Sequence, residues 1–129
     1  MVIVDTSAWI DYFRDGDQSV AARVERCLDE ESVGIGDLIY CEVMQGIKSA
    51  AERRHVGQQL LSLPGFEMVG FDMAGKAAWN YRLLRSRGLT VRKTIDVMIG
   101  TFCAENGLQL VHQDVDFDRI APHIGLKVV

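Results

Sequence analysis

The stretch Val2-Ile3-Val4-Asp5-Thr6-Ser7 places a carboxylate directly after a short run of β-branched residues. Such a run predicts a buried strand, because β-branched side chains pack well on a pleated surface. From residue 6 to residue 13 the apolar residues instead recur at helical spacing. A strand that passes at once into a helix is typical of an α/β protein, and it leaves Asp5 at the carboxyl end of the strand.

Strands and helices alternate along the rest of the sequence. Further strands are predicted at 33–36, 66–71, 108–112 and 126–129. Helices are predicted at 6–13, 19–30, 37–47, 50–63, 74–87, 94–105 and 114–120, and the helix at 74–87 has an apolar pattern of Ala78, Trp79 and Leu83. The alternation predicts one α/β domain over residues 1–129, with a parallel sheet of about five strands and helices on both faces.

The composition is that of an ordinary globular domain, with 48% hydrophobic and 25% charged residues among 129. No apolar run approaches the roughly 20 residues that a membrane span requires. The first residues also lack a basic segment followed by a long apolar stretch, so a signal peptide is not expected. We therefore expect a cytoplasmic protein without membrane contact.

The cysteines, Cys27, Cys41 and Cys103, are widely spaced and form no C-x-x-C pair. That arrangement indicates neither a disulfide framework nor a zinc site. Each lies in an apolar helical pattern, which predicts three small buried side chains.

The charge is unevenly distributed, although the net charge is −4. Between Arg82 and Lys93 the charged residues are all basic: Arg82, Arg85, Arg87, Arg92 and Lys93. One interpretation is that this basic segment follows a phosphate backbone locally, despite the acidic body of the protein. The other is a solvated helix end whose cations favour the C-terminal dipole. The sequence alone leaves both open.

Two acids stand where parallel α/β sheets bind ligands, beyond the carboxyl ends of strands. Asp5 directly follows the first strand, and Asp114 follows the strand predicted at 108–112. An aspartate between a strand and a helix is also a good N-cap, and one carboxylate can serve both purposes.

Glu42 lies inside the apolar arc formed by Leu38, Ile39, Val43 and Ile47 of its predicted helix. No Lys or Arg stands one turn away, so a buried charge here needs another partner. A bound cation or a distant arginine would provide it. Asp96 stands in the first turn of its helix, where the dipole favours an acid, but its flank of Ile99, Gly100 and Cys103 is uncharged.

Several carboxylates in one pocket disfavour each other's ionisation, and a divalent cation removes that conflict. Mg²⁺ or Mn²⁺ suits oxygen ligands without His or Cys. Asp116 could join such a cluster or simply acidify the first turn of the helix after Asp114. The three histidines do not form a ligand set by spacing, so a histidine zinc site is the weaker alternative.

Four segments in order resemble the PIN-domain family, and more narrowly the VapC-type toxins of bacterial toxin–antitoxin systems. They are Val2-Ile3-Val4-Asp5-Thr6-Ser7-Ala8-Trp9, Glu42, Thr94-Ile95-Asp96 and His112-Gln113-Asp114-Val115-Asp116-Phe117-Asp118. The resemblance implies a metal-dependent endoribonuclease with Asp5, Glu42, Asp96 and Asp114 as catalytic acids. Asp116 is implied as a further metal ligand beside Asp5, Asp96 and Asp114.

The resemblance also implies substrate contacts and partners. Thr6 or Ser7 would assist through a hydroxyl. From their position just before the helix that carries Asp96, rather than from the resemblance, we expect Arg85, Arg87, Arg92 and Lys93 to hold RNA next to the metal. Cleavage would leave a 5′-phosphate and a 3′-hydroxyl. The protein would form a homodimer and bind a VapB-type antitoxin. Gln113 departs from the family, in which many members carry a basic or small hydroxyl residue there.

Two other interpretations remain open at the level of sequence. A phosphorylation-receiver-like domain has a similar length and sheet, but it needs a pair of acids after the first strand, where Asp5 stands alone. A catalytically silent PIN scaffold would bind RNA or protein without cutting, and the presence of all four acids argues against it.

Overall fold

Five parallel strands form one sheet in the computed structural model of the protein, which describes residues 1–30 and 32–129. They are β1 (Val2–Val4), β2 (Val33–Gly36), β3 (Gly65–Phe66), β4 (Gln109–Val111) and β5 (Lys127–Val128). The strand order is β3-β2-β1-β4-β5, and every pairing is parallel. β2 and β3 therefore lie on one side of β1, and β4 and β5 lie on the other. This confirms the predicted fold class.

Helices fill the connections between the strands. They are α1 (Thr6–Phe13), α2 (Gln18–Glu30), α3 (Asp37–Gln45), α4 (Ala50–Leu61), α5 (Phe71–Ser86), α6 (Thr94–Glu105) and α7 (Val115–Ile124). One group packs α1 against α2 and α3, and α3 against α4, whereas α5, α6 and α7 pack with one another. No helix within the described ranges combines the length and apolarity needed to cross a bilayer.

The core lies on both sides of the central strand. Val2, Ile3 and Val4 are all buried, although their side chains alternate between the two faces of the sheet. Trp9 of α1 and Phe117 of α7 are among the largest fully buried side chains. A strand covered on both faces fixes the position of whatever follows it, and Asp5 follows β1.

The predicted strand at 66–71 is wrong in extent, because β3 ends at Phe66 and α5 already begins at Phe71. The backbone leaves the sheet here because Met68 turns into the core. Its N–H donates to Asp37 Oδ1 at 3.0 Å instead of to a neighbouring strand.

The helix predicted at 114–120 is too short, since α7 continues through Pro122 to Ile124. Pro122 has no N–H to offer the carbonyl of Asp118. Both residues are exposed, so water can satisfy that carbonyl. The helix ends at Gly125, whose φ of 74° few other residues adopt at low cost.

Two side-chain predictions are also wrong. Cys27 and Cys103 are buried as expected, but Cys41 is exposed. Trp79 was expected in an apolar pattern, yet 68% of its surface is exposed.

Candidate active site

The strand order reverses between β1 and β4, and open parallel sheets bind ligands at such a reversal. Asp5 follows β1 directly, and its N–H donates to the carbonyl of Val111 at the end of β4 at 2.8 Å. Asp114 comes three residues after Val111 and caps the N-terminus of α7. The two strand ends that carry acids are therefore adjacent, as the sequence predicts.

Asp5 is both a helix cap and a buried carboxylate with a free oxygen. Its Oδ2 accepts hydrogen bonds from the Ser7 N–H at 3.2 Å and the Ser7 hydroxyl at 2.8 Å. Its Oδ1 is buried and has no hydrogen-bond partner in the described part of the chain. Burial raises the pKa of Asp5 above its ordinary value, although the bonds from Ser7 oppose the shift.

Ser7 links the two strand ends that carry acids. Its hydroxyl donates to Asp5 Oδ2 and accepts the Gln113 N–H at 3.0 Å. The Gln113 side chain also donates to Asp17 Oδ2 at 3.3 Å. Ser7 thus joins the start of α1 to the loop that leads to Asp114.

Glu42 is half-buried and faces the same region from α3. The Thr6 hydroxyl donates to its Oε1 at 3.0 Å. Burial raises the pKa of Glu42, and the charge of Asp5 raises it further. The Thr6 hydrogen bond and the positive charge of Lys93 act in the opposite direction.

Asp96 is an acid whose pKa is strongly raised. It is 8% exposed in the first turn of α6, and its pKa is raised to about 7. Burial is the largest cause, and the charges of Asp5, Asp114 and Glu42 add to it, whereas Lys93 opposes it. All four predicted catalytic acids therefore share one electrostatic environment.

Three carboxylates come close enough to hold a single ion. Oxygen atoms of Asp96, Asp114 and Asp116 lie within 4.8 Å of one another. The Asp116 backbone N–H donates to Asp114 Oδ1 at 2.9 Å, which fixes the orientation of the Asp114 carboxylate at the start of α7. Asp5 and Glu42 lie outside this three-residue group.

The residues present fit a hard divalent cation. Oδ1 of Asp5 and Oδ1 of Asp116 are buried without a hydrogen-bond donor among the described residues. Two arginines lie near Asp116, Arg119 at 3.6 Å and Arg92 at 3.9 Å, both too long for hydrogen bonds. Oxygen atoms that are buried, acidic and unsatisfied form the donor set that Mg²⁺ and Mn²⁺ prefer.

His112 is a site residue that the sequence analysis missed. It is 7% exposed, and its Nδ1 accepts the N–H of Asp114 at 3.0 Å. The proton therefore belongs on Nε2, which donates to Asp118 Oδ1 at 3.1 Å. His112 holds the backbone of a cluster acid in place. Its position two residues before Asp114 was the available signal.

The predicted basic residues occupy two different places. Arg92 and Lys93 lie beside the acids, since Arg92 approaches Asp116 and Lys93 influences both Glu42 and Asp96. Arg85 instead lies over the ring of Tyr81, 5.9 Å from its centroid. Arg87 contacts His123 at 2.9 Å.

A parallel sheet with this order and a carboxylate cluster at its reversal point defines a class of α/β proteins with an acidic ligand site. Comparison of the sequence with known families makes the class specific. The PIN domain model matches residues 2–122, and the chain belongs to the PIN domain family. Membership removes the phosphorylation-receiver interpretation.

Named relatives cover almost the whole chain. It is 33% identical over 123 residues to the VapC ribonuclease Mb1587 of Mycobacterium bovis and to ribonuclease VapC11 of Mycobacterium tuberculosis. The match spans 94% of this chain and 92% of each relative.

Solved structures of low sequence identity share the fold. VapBC2 from Rickettsia felis, bound to a DNA fragment from its promoter, has a TM-score of 0.78 at 16% identity over 100% of this chain and 98% of that one. FitAB bound to the IR36 DNA fragment has a TM-score of 0.81 at 15% identity, over 100% and 94%.

Proposed function

We propose that the protein is a metal-dependent endoribonuclease that acts as the toxin of a toxin–antitoxin pair. The observation that carries the proposal is the approach of Asp96, Asp114 and Asp116 to within 4.8 Å at the sheet's reversal point. The relatives at 33% identity are named as ribonucleases, which supports RNA as the substrate.

Asp5, Asp96, Asp114 and Asp116 would hold Mg²⁺ or Mn²⁺ through their carboxylate oxygens. The bound cation would supply activation of water and neutralisation of the phosphate charge. Lys93 and Arg92 lie beside the acids, and their positive charge would attract a phosphodiester. Ser7 holds the Asp5 carboxylate and the Asp116 N–H holds that of Asp114, so these ligand oxygens need little reorganisation.

Glu42 would act on protons. Its carboxyl is oriented by the Thr6 hydroxyl, and its raised pKa makes it a better proton acceptor than an ordinary glutamate. From this position it would accept a proton from the attacking water. Thr6 and Ser7 thus contribute by orienting acids, and Arg85 and Arg87 would contact RNA farther from the cleavage point.

The test is cleavage of a fluorescent RNA by the purified protein, with EDTA and with added Mg²⁺ or Mn²⁺. We expect cleavage only with metal, and a loss of at least a hundredfold in Asp5→Asn and Asp96→Asn. The matched control is Asp29→Asn, an exposed acid on α2 that should cut like the parent. Equal activity in all variants would contradict the site, and no activity in the parent would favour a silent scaffold.

We also propose a VapB-type antitoxin and a second copy of this chain as partners, with action in the cytoplasm. The shared fold with toxin–antitoxin complexes supports the first partner. Exposed Leu61, Val69 and Phe71 near the edge strand β3 support the second. Co-purification with the product of any short gene found next to its own tests the antitoxin, and the molar mass of Phe71→Ser tests the dimer.

A further inference from the structure

The C-terminal half of α5 carries an open depression that the proposed cleavage site does not use. Its volume is about 620 Å³, and its lining residues are Trp79, Tyr81, Arg82, Leu83, Arg85 and Ser86. Trp79 exposes 68% of its surface, whereas the other tryptophan, Trp9, exposes 2%. A large ring left in water at the edge of a depression is available to stack on a flat ligand.

The charges around this ring are positive and uncompensated. Arg82 and Arg85 form no ion pair within residues 1–30 and 32–129. Arg85 lies over the Tyr81 ring, which holds its guanidinium in the depression. An exposed indole beside free guanidinium groups offers a π-face for a base and cations for its phosphates, which is the chemistry that binds single-stranded nucleic acid.

The depression continues toward the acids. Tyr81 and Arg85 also line a second depression of about 310 Å³ with the segment from Gly88 to Val91. That segment leads directly into Arg92 and Lys93, which lie beside the carboxylates. An extended nucleic-acid strand that runs from Trp79 to the acids would therefore pass Arg85, Arg92 and Lys93.

We propose that Trp79, Arg82 and Arg85 form a nucleobase-stacking subsite for single-stranded RNA, which lies to one side of the cleavage site. The proposal rests on the proposed ribonuclease function for its choice of RNA. A second copy of the chain would also cover an exposed indole, and the molar mass of the Trp79→Ala variant in solution distinguishes that case. The unpaired cations and the continuity with the acids favour RNA.

Binding of a 12-nucleotide single-stranded RNA, measured in EDTA, tests the subsite without any cleavage. Tryptophan fluorescence is a direct readout, because Trp9 is buried and only Trp79 can stack. We expect quenching by the single strand and little quenching by a duplex of the same sequence. Trp79→Ala should weaken binding by about tenfold, whereas Trp79→Phe, which keeps an aromatic face, should stay within about threefold of the parent.

The outcomes separate the two proposals. Unchanged affinity in Trp79→Ala, with the parent still cutting RNA, overturns the subsite alone. A parent that binds no single-stranded RNA overturns the subsite, and a parent that also fails to cleave RNA with added Mg²⁺ or Mn²⁺ overturns both. A Trp79→Ala variant that changes from dimer to monomer in solution assigns Trp79 to contact between copies and overturns the subsite. Because the side chain is exposed, the melting temperature should stay within a few degrees of the parent, which excludes loss of folding.

Discussion

Asp96 concentrates the electrostatic conflict of the site in a single side chain. It is almost fully buried, three other acids act on it, and Lys93 offsets only part of their effect. Its pKa of about 7 means that the metal-free protein holds a proton there at mildly acidic pH. The folded state therefore binds this proton more tightly than the unfolded chain does, where an aspartate titrates near 4.

Stability should consequently fall as pH rises from about 4 through 7, because the folded state must give up a proton that it binds tightly. We expect Asp96→Asn, in EDTA, to raise the free energy of unfolding by about 2–3 kcal/mol more at pH 8 than at pH 5. Urea denaturation at the two pH values measures this. The control Asp29→Asn should leave the free energy of unfolding unchanged at both pH values. Equal effects of Asp96→Asn at the two pH values would contradict a raised pKa for Asp96.

Individual residues differ in how far the sequence predicts them. Glu42 could be placed near the acids because its helical arc is apolar and no cation stands one turn away. The hydrogen bond that Glu42 accepts from Thr6 could not be predicted, because it joins two elements 36 positions apart. The same holds for His112, whose role depends on a ring orientation that spacing does not encode. Cys41 and Trp79 were misplaced because an apolar residue type does not specify which side of its helix is covered.

At the scale of elements, two glycines have opposite effects on the stability of their helices. Gly125 ends α7 at a φ of 74°, where a side chain is strained. Gly75 lies inside α5 and is exposed, with open space where a side chain would stand.

We expect Gly125→Ala to lower the free energy of unfolding by about 1 kcal/mol, since alanine resists the left-handed conformation. Gly75→Ala should raise it by about 0.5–1 kcal/mol, because alanine is the better helix former. Thermal melting of both variants provides the comparison, and each serves as the other's control. Shifts of the same sign would show that one of the two backbone assignments is wrong.

Elements with a strong local pattern were predicted well, and those without one were not. β1 and α6 carry unbroken apolar signals, and their observed limits match the predicted ones. β3 is two residues long at the sheet edge, and Met68 is apolar because it enters the core outside any strand. The local sequence pattern does not indicate the hydrogen bond from the Met68 N–H to Asp37, which the backbone makes where it leaves the sheet.

For the molecule as a whole, metal and protons should compete for the same oxygens. At pH 6 Asp96 is mostly protonated and must release its proton before it binds a cation, whereas at pH 9 it is already ionised.

We expect Mn²⁺ binding to release about one proton at pH 6 and close to none at pH 9, with affinity rising up to tenfold per pH unit below 7. Titration calorimetry in buffers of different ionisation enthalpy counts the protons. Asp29→Asn should reproduce the parent. A release that does not vary with pH would mean that the cation binds away from Asp96.

The position of β1 at the centre of the sheet has a consequence for how the protein is made. β1 is synthesised before β4, so the contact between Ser7 and Gln113, 106 positions apart, cannot form until β4 has been made. Asp5 emerges early, Asp114 and Asp116 emerge late, and no shorter nascent fragment carries the complete set. Synthesis itself therefore delays the assembly of the acids until the segment that carries Asp114 and Asp116 has been made.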